Sequence, residues 1–150
     1  MGYIQWKDSL TVYNNFLDEQ HRKMIEAVNE LHAEYMLGRD ARDMNHHLTD
    51  LSALTRTHFQ TEEIMMHATQ YPGLERHKAE HQQLLADMDT IVGELTRGER
   101  ELTEELFEFL HHWVEGHIRS EDREFGQHLL EFIQEHPNAE LPNAETRLSS

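Results

Sequence analysis

The stretch from His58 to His81 contains residues whose types and spacing suit a metal site. It opens with His58 and Glu62, four residues apart, and it closes with His77 and His81, again four residues apart. Residues four apart lie on one face of a helix, so each pair directs two donor groups toward one point. Three imidazoles and a carboxylate that converge in this way are typical ligands of a metal ion.

The residues between the two pairs predict a turn. Tyr71-Pro72-Gly73 is a strong helix-breaking sequence, because proline lacks a backbone donor and glycine favours turns. The stretch therefore predicts the end of one helix, a tight turn and the start of an antiparallel helix. Both pairs of candidate ligands then lie near one end of a helical hairpin.

Composition limits the kinds of metal site that the chain can form. With 150 residues the chain is expected to form one domain with a substantial core. It has no cysteine, which excludes disulfides, thiolate zinc sites and iron–sulfur clusters. A metal must then be bound by nitrogen and oxygen, which suits iron, manganese, copper or zinc. Histidine is unusually abundant, with 13 residues against 13 for lysine and arginine together.

The charge and the hydropathy of the chain predict its location. The first residues, MGYIQWKDSL, lack the basic segment and the apolar run of a signal peptide. The chain has no apolar run near the roughly 20 residues that span a bilayer. A net charge of −16 disfavours binding to nucleic acid and to anionic membranes. We therefore expect a cytoplasmic protein with no nucleic-acid partner and no membrane insertion.

Hydrophobic periodicity predicts an all-α protein. Residues 1–17 have apolar side chains without a helical period, which indicates an extended arm packed on the body. Asp18, Asp40 and Thr103 are candidate N-caps. The four predicted helices span about 19–37, 40–67, 74–96 and 101–134, and the last has Phe109 among its apolar residues. We expect an up-down-up-down four-helix bundle over residues 18–134. The arm and the bundle together form one predicted domain, residues 1–134. Residues 135–150 are expected to be a flexible tail.

All four predicted helices place histidine on their apolar, core-facing stripes. These histidines are His21, His58, His77, His81 and His117. Glu62 lies on the same stripe as His58, and a buried glutamate is costly unless it is paired or bound to a metal. Five imidazoles exceed what one zinc or non-haem iron ion normally uses. With Glu62 and a carboxylate near His117 they suit two metal ions bridged by carboxylates.

Several short motifs resemble those of one known family. They are Trp6, DEQH at 18–21, HFQTEE at 58–63, YP at 71–72, HKAEH at 77–81 and WVEGHIRSED at 113–122. Over about residues 6–130 the chain resembles the hemerythrins, and it is most similar to the bacterial single-domain members, the bacteriohemerythrins. The resemblance implies a four-helix bundle around a non-haem diiron centre that binds dioxygen.

The same resemblance implies a ligand set of seven residues. One iron would be bound by His77, His81 and His117. The other would be bound by His21 and His58, which leaves it one open coordination position for dioxygen. Glu62 and Asp122 would bridge the two irons, with an oxo or hydroxo group as the third bridge.

The identity of the second bridging carboxylate depends on helix geometry. On an ideal helix Asp122 lies about 140° around the axis from His117, whereas Glu121 lies only about 40° away. Geometry alone therefore favours Glu121, and the family pattern favours Asp122. A local π-bulge would absorb the extra residue, and such bulges are frequent at functional sites. We predict Asp122.

The chain departs from the family pattern at positions that are not ligands. Tyr13 replaces a common glycine in the arm, and Phe125 replaces a frequent tyrosine after Asp122. By resemblance the oxygen pocket is lined by Trp113, Val114 and Ile118. Val114 takes the place of a bulkier leucine, which would widen the route to the open iron.

These features predict reversible dioxygen binding rather than catalysis. Five neutral nitrogens and two carboxylates leave the centre poor in electrons, which disfavours cleavage of the O–O bond. Ferritin-like oxidases use two Glu-x-x-His pairs, and this chain has one, Glu108 with His111, off the inward stripe. The alternatives are an oxygen or redox sensor, and a diiron peroxidase or nitric-oxide or nitrite reductase. The sequence does not identify a protein partner or an electron donor.

Overall fold

The computed structural model describes residues 2–40 and 43–141 of the chain. It confirms the predicted all-α class, with a short 3-10 turn at Asp8–Leu10 ahead of the helices. The helices are α1 (Asn15–Met36), α2 (Asn45–Ala68), α3 (Leu74–Thr96), α4 (Glu104–His117) and α5 (Arg123–Glu135). Between α4 and α5 the chain forms a π-helical segment, Ile118–Asp122, without a break.

The helices form the predicted up-down-up-down bundle. Helix α1 packs against α2 and α4, and α2 packs against α3. Helix α4, the π-helical segment and α5 together make the fourth helix of the bundle. Over the described residues, no helix has both the length and the apolar character that a membrane span requires.

Two of the three predicted N-caps are wrong. Helix α1 begins at Asn15, three residues before Asp18, and its N-cap is Asn14. The Asn14 side chain accepts a hydrogen bond from the Leu17 amide at 3.0 Å. Asp40 lies outside α2 and accepts a hydrogen bond from the Asp43 amide in the preceding turn. Asp18 and Asp40 are cap-type residues by sequence, but both bind other backbone amides.

The third predicted cap, Thr103, is confirmed. Its hydroxyl oxygen accepts a hydrogen bond from the amide of Leu106 at 3.2 Å. Helix α3 also spans the predicted range, because the Tyr71-Pro72-Gly73 turn sets its start. Gly38 follows α1 with a φ of 82°, a left-handed conformation that glycine adopts without strain.

The arm packs on the body of the protein, as predicted. Ile4, Leu10 and Val12 are buried in the hydrophobic core. The buried Asp18 carboxylate fixes this segment, because it accepts hydrogen bonds from the Val12 amide at 2.9 Å and the Thr11 hydroxyl at 2.6 Å. Asp18 therefore joins the arm to α1, which explains its burial inside a helix.

Tyr13 has a left-handed backbone conformation, which agrees with the glycine that the family resemblance leads us to expect at this position. Its φ is 63°, in the left-handed region that residues with a side chain rarely adopt. The phenol oxygen accepts two hydrogen bonds from the Arg123 guanidinium, at 2.8 and 3.2 Å. The side chain thus links the arm to the first residue of α5.

The fourth helix buries Phe107 in the core rather than Phe109, which its apolar pattern predicted. Phe109 is 44% exposed, whereas Phe107, two residues earlier, is fully buried. Phe107 packs against the rings of His32 and Tyr35 on α1.

Part of the predicted tail belongs to the folded body. Helix α5 extends to Glu135, the first residue of the predicted tail, and Leu141 packs against the hydrophobic core. Residues 142–150 of that segment lie outside the described residues. The division into arm, bundle and tail remains a prediction.

Gly126 of α5 provides a test of how the arm is packed. A Cβ atom on Gly126 would clash with the Val12 carbonyl oxygen, whereas a Cβ on Gly116 of α4 has no described neighbour within 4 Å. We predict that Gly126→Ala lowers the free energy of unfolding by about 1–3 kcal/mol through overpacking. The matched control Gly116→Ala should raise it by about 0.5–1 kcal/mol through helix propensity. Urea denaturation measures both, and equal effects would contradict the packing.

Candidate metal centre

All seven predicted ligands converge in the interior of the bundle. His21 comes from α1, His58 and Glu62 from α2, and His77 and His81 from α3, while His117 ends α4 and Asp122 ends the π-helical segment. Six of these side chains are buried, and His117 is nearly so. Their donor atoms form two groups, and within each group the atoms lie within 4.8 Å of one another. The first group consists of Glu62, His77, His81, His117 and Asp122, and the second of His21, His58, Glu62 and Asp122. Glu62 and Asp122 belong to both.

The two carboxylates lie between the groups, with Asp122 directing one oxygen to each. Its Oδ2 atom lies 2.8 Å from His21 Nε2 and 3.3 Å from His58 Nε2. Its Oδ1 atom lies 2.9 Å from His117 Nε2 and 3.2 Å from His77 Nε2. This is the arrangement of a carboxylate that bridges two cations.

Glu62 approaches both groups from the other side. Its Oε1 atom lies 2.7 Å from His58 Nε2 and 3.6 Å from His81 Nε2, and its Oε2 atom lies 3.8 Å from His77 Nε2. One group therefore has three imidazoles and the other has two, while both share the same two carboxylates. The group with two imidazoles has one donor fewer.

The π-helical segment explains why Asp122 rather than Glu121 reaches the donor atoms. In a π-helical turn residue i+5, not i+4, lies above residue i, and Asp122 is five residues after His117. Glu121 belongs to neither donor group; its side chain is partly buried, and one of its oxygens lies 3.7 Å from the Arg76 guanidinium. The local geometry thus agrees with the family pattern and departs from an ideal α-helix.

A hydrogen-bond chain orients His58. Thr61 donates to the Thr57 carbonyl at 2.8 Å, so its oxygen is free to accept from the Gln20 amide at 3.2 Å. The Gln20 carbonyl then faces His58 Nδ1 at 2.8 Å and accepts its proton. With the proton on Nδ1, the lone pair of His58 Nε2 points at the site, as metal ligation requires.

Glu63 and Phe59 hold His81 in a similar way. His81 Nδ1 donates to the Glu63 carboxylate at 3.0 Å, which directs the Nε2 lone pair inward. The Phe59 ring stacks on the imidazole, with 3.8 Å between centroids and an interplanar angle of 5°. The ring is thereby fixed in both tautomer and orientation.

Burial keeps two of the imidazoles neutral at physiological pH. Desolvation, reinforced by the nearby His58, lowers the pKa of His21 to about 4. Desolvation, reinforced by His77 and His117, lowers the pKa of His81 to about 2. Because a metal ligand must be unprotonated, these two side chains bind a cation without first losing a proton.

The carboxylates and His117 are coupled electrostatically. Burial and the charge of Asp122 raise the pKa of Glu62 well above its usual value. Burial acts in the same direction on Asp122, but the charge of His117 outweighs it and lowers the pKa of Asp122. Burial likewise opposes protonation of His117, yet the charges of Asp122 and Glu62 raise its pKa to about 9. Without a metal, a proton on His117 provides positive charge that a cation would otherwise supply.

The donor set fits a pair of metal ions. Among the described residues, both Glu62 oxygens and His81 Nε2 are buried without a hydrogen-bond partner, since His58 Nε2, 2.7 Å from Glu62 Oε1, offers a lone pair rather than a proton. Such atoms are costly in a protein interior unless an ion or water satisfies them. His21 Nε2 and His58 Nε2 approach to 2.8 Å, close to the ~3 Å between two donors that are each ~2.1 Å from one ion. Nitrogen and carboxylate oxygen suit iron among other first-row metals.

A small cavity lies beside the donor atoms. Its volume is about 10 Å³, and it is lined by the three residues that were predicted for the oxygen pocket, Trp113, Val114 and Ile118, together with Met24, Phe59, His117 and Asp122. That volume is near the lower limit for one water molecule. The cavity thus suits a ligand of a few atoms.

Four residues around the site escaped the reasoning from sequence: Gln20, Met24, Phe59 and Glu63. Three of them lie beside a predicted ligand in the chain, and Met24 lies one helical turn after His21. Their position next to a predicted ligand is the only feature of the sequence that points to a role at the site. It does not say which neighbour faces the site, because that depends on how the helices are rotated against one another.

Comparison with known proteins identifies the family. The family model of the hemerythrin HHE cation binding domain matches residues 13–129. The chain belongs to the hemerythrin family. The resemblance inferred from the short motifs is thereby confirmed, and the matched range includes all seven predicted ligands.

Curated relatives and solved structures agree with this assignment. A bacteriohemerythrin of Stenotrophomonas maltophilia is 30% identical over 91% of this chain and 90% of the relative. Myohemerythrin-1 of Phascolopsis gouldii is 27% identical over 78% of this chain and 87% of the relative. The crystal structure of wild-type hemerythrin superimposes with a TM-score of 0.78 at 26% identity, covering 85% of this chain and 98% of that one.

Removal of one inward histidine tests the grouping of the imidazoles. We predict that His81→Ala lowers both the bound metal and the thermal stability of metal-loaded protein, because metal binding contributes to folding free energy. His67→Ala, which removes an exposed histidine from α2, is the matched control and should change neither quantity. Metal analysis with thermal denaturation measures the effects, and equal metal loss in both variants would contradict the grouping.

The two neighbouring carboxylates provide a second test. Asp122→Asn should remove half or more of the bound metal, because the neutral amide cannot offer two anionic oxygens. Glu121→Gln, the equivalent change at a partly buried carboxylate outside both donor groups, should leave the metal content unchanged. The opposite result would mean that Glu121 supplies the bridge.

Proposed function

We propose that this protein binds dioxygen reversibly at a pair of iron ions. The observation that supports it best is the unequal division of donors between two groups that share Glu62 and Asp122. A pair of ions held in this way has one ion with a free coordination position. The relatives support the same function, since their names are bacteriohemerythrin and myohemerythrin. We place the protein in the cytoplasm, as its sequence predicts.

Each predicted ligand has a role in this proposal. His77, His81 and His117 would hold one iron, His21 and His58 would hold the other, and both ions would share the two carboxylates. When bound, a pair of ferrous ions supplies two electrons to dioxygen and recovers them when dioxygen leaves.

The hydrogen bonds around the site maintain its geometry through that cycle. Gln20 holds the His58 proton on Nδ1, and Glu63 does the same for His81. Neither imidazole needs to change tautomer or rotate when a ligand enters or leaves. Such pre-organisation favours reversibility, because little of the surroundings must rearrange.

The cavity lining favours carriage over catalysis. Apart from the assigned ligands His117 and Asp122, its described lining is apolar and provides no acid. A peroxidase or a nitric-oxide or nitrite reductase needs a proton donor beside the substrate. Glu115, the acidic residue that directly follows Val114, lies outside the lining. It is paired with His111 at 2.5 Å and with Arg119 at 3.0 Å.

Oxygen reversibility tests the proposal. Protein purified with iron and reduced without oxygen should gain a visible absorption band in air, lose it when oxygen is removed, and regain it on re-exposure. A band that converts irreversibly within one exposure would favour redox enzymology or sensing. Protein that takes up iron yet shows no oxygen-dependent band would refute dioxygen binding.

Val114 tests the proposed route to the site. Val114 is buried and lines the cavity, so an added methylene group fills space that a ligand needs. We predict that Val114→Leu slows oxygen release and also slows autoxidation, because water and small anions are excluded. Stopped-flow release and decay of the oxygenated band in air measure the two rates.

Val28 of α1 provides the matched control, because it is a fully buried valine outside the cavity lining. Val28→Leu should lower stability through overpacking, typically by about 1–3 kcal/mol, while leaving both oxygen rates unchanged. If Val114→Leu retains its iron and both rates match those of the parent protein, the route does not pass Val114.

A further inference from the structure

Met24 is one of the residues that line the cavity beside the donor atoms. It lies on α1, one turn after His21, and only 3% of its surface is exposed. The same cavity is lined by His117 and Asp122, two of the predicted ligands. The side chains of Phe59, Val114 and Ile118 in that lining have no lone pair. The sulfur of Met24 does, and it can accept an oxygen atom.

Four other methionines serve as internal controls for oxidation. Met44 and Met66 are fully buried away from this cavity, and Met88 lines a separate apolar cavity in the other half of the bundle. Met36, at the end of α1, is 65% exposed. Oxidant in bulk solution reaches Met36 first, because the oxidation of methionine follows exposure. Oxidant formed inside the protein reaches Met24 first.

We propose that Met24 is an internal oxidation site, which takes an oxygen atom from hydrogen peroxide formed in the cavity. The inference rests on the proposed function, since dioxygen must reach a ferrous pair. A ferrous pair held there would supply two electrons, and solvent water two protons, to reduce dioxygen to hydrogen peroxide, with hydroxide left in the solvent. The sulfur lone pair then attacks one peroxide oxygen, the O–O bond breaks, a sulfur–oxygen bond forms, and water leaves. The sulfur loses two electrons and the peroxide gains them.

The modification has a consequence for the site. Methionine sulfoxide is polar and larger than the thioether, and the cavity measures only about 10 Å³. The added oxygen atom takes up the space available to a ligand and places a hydrogen-bond acceptor among apolar side chains. Each failed oxygenation cycle thus reduces the number of chains that bind dioxygen, until a sulfoxide reductase restores the thioether.

The test uses full-length iron-loaded protein, reduced and then held in air until the oxygenated band has decayed. Catalase is present, so that peroxide in bulk solution is destroyed. Peptide mass spectrometry should find one added oxygen atom on Met24, at ~5-fold or higher occupancy than on Met36. Metal-free protein treated with hydrogen peroxide should show the reverse order, with Met36 oxidised first.

Two results would overturn the inference. One is an unmodified Met24 after the band has decayed, and the other is oxidation of Met24 that catalase abolishes. If the band forms reversibly in those samples, the proposed function still holds; if no band forms, both proposals fail. In Met24→Leu, a change of similar volume, more peroxide should escape into solution per chain whose band decays, measured without catalase. Equal peroxide release from the parent and Met24→Leu would also overturn the inference.

Discussion

The burial of two carboxylates side by side is the constraint on which this structure depends. Glu62 and Asp122 lie in the interior of the bundle, where an unpaired charge costs several kcal/mol. Five imidazoles surround them, yet the described residues leave both Glu62 oxygens without a hydrogen bond. Two cations resolve this conflict, because each ion would neutralise the carboxylates and use the imidazole lone pairs. The helices supply the apolar packing, and metal binding would offset the free-energy cost of burying the donor groups.

Local irregularity in the fold serves the same site. The π-helical segment adds one residue to the fourth helix and so brings Asp122 over His117. The arm is fixed next to this segment, since Arg123 follows Asp122 and binds Tyr13, while Gly126 lies against Val12. Packing of the arm thus supports the helical turn that ends at Asp122. The left-handed backbone at Tyr13 and the π-helical turn are thus connected through Arg123.

Sequence predicted those parts of the fold and site that depend on local geometry. The pair His77 and His81 is predictable because residues four apart share a face in any α-helix, and the start of α3 because Tyr71-Pro72-Gly73 allows few conformations. Asp18 was assigned wrongly because its partners, Val12 and Thr11, come from the arm rather than from its own helix. Asp122 required the family pattern, since helix geometry favours Glu121.

Features that depend on the rotation of one helix against another could not be predicted from the sequence. Phe107 is buried and Phe109 is exposed, although both are phenylalanines on the same helix. Gln20 and Glu63 acquire their roles because His58 and His81 lie on other helices. Met24 faces the cavity for the same reason. The sequence therefore predicted the donors, and the structure shows which side chains orient them.

The most direct test of this account is an anaerobic titration of metal-free protein with ferrous iron. The iron retained per chain after desalting is measured together with the thermal unfolding temperature. The account predicts that both quantities rise together and saturate at two iron ions per chain, because the two groups share their carboxylates. Saturation at one ion, or iron uptake that leaves the unfolding temperature unchanged, would contradict it.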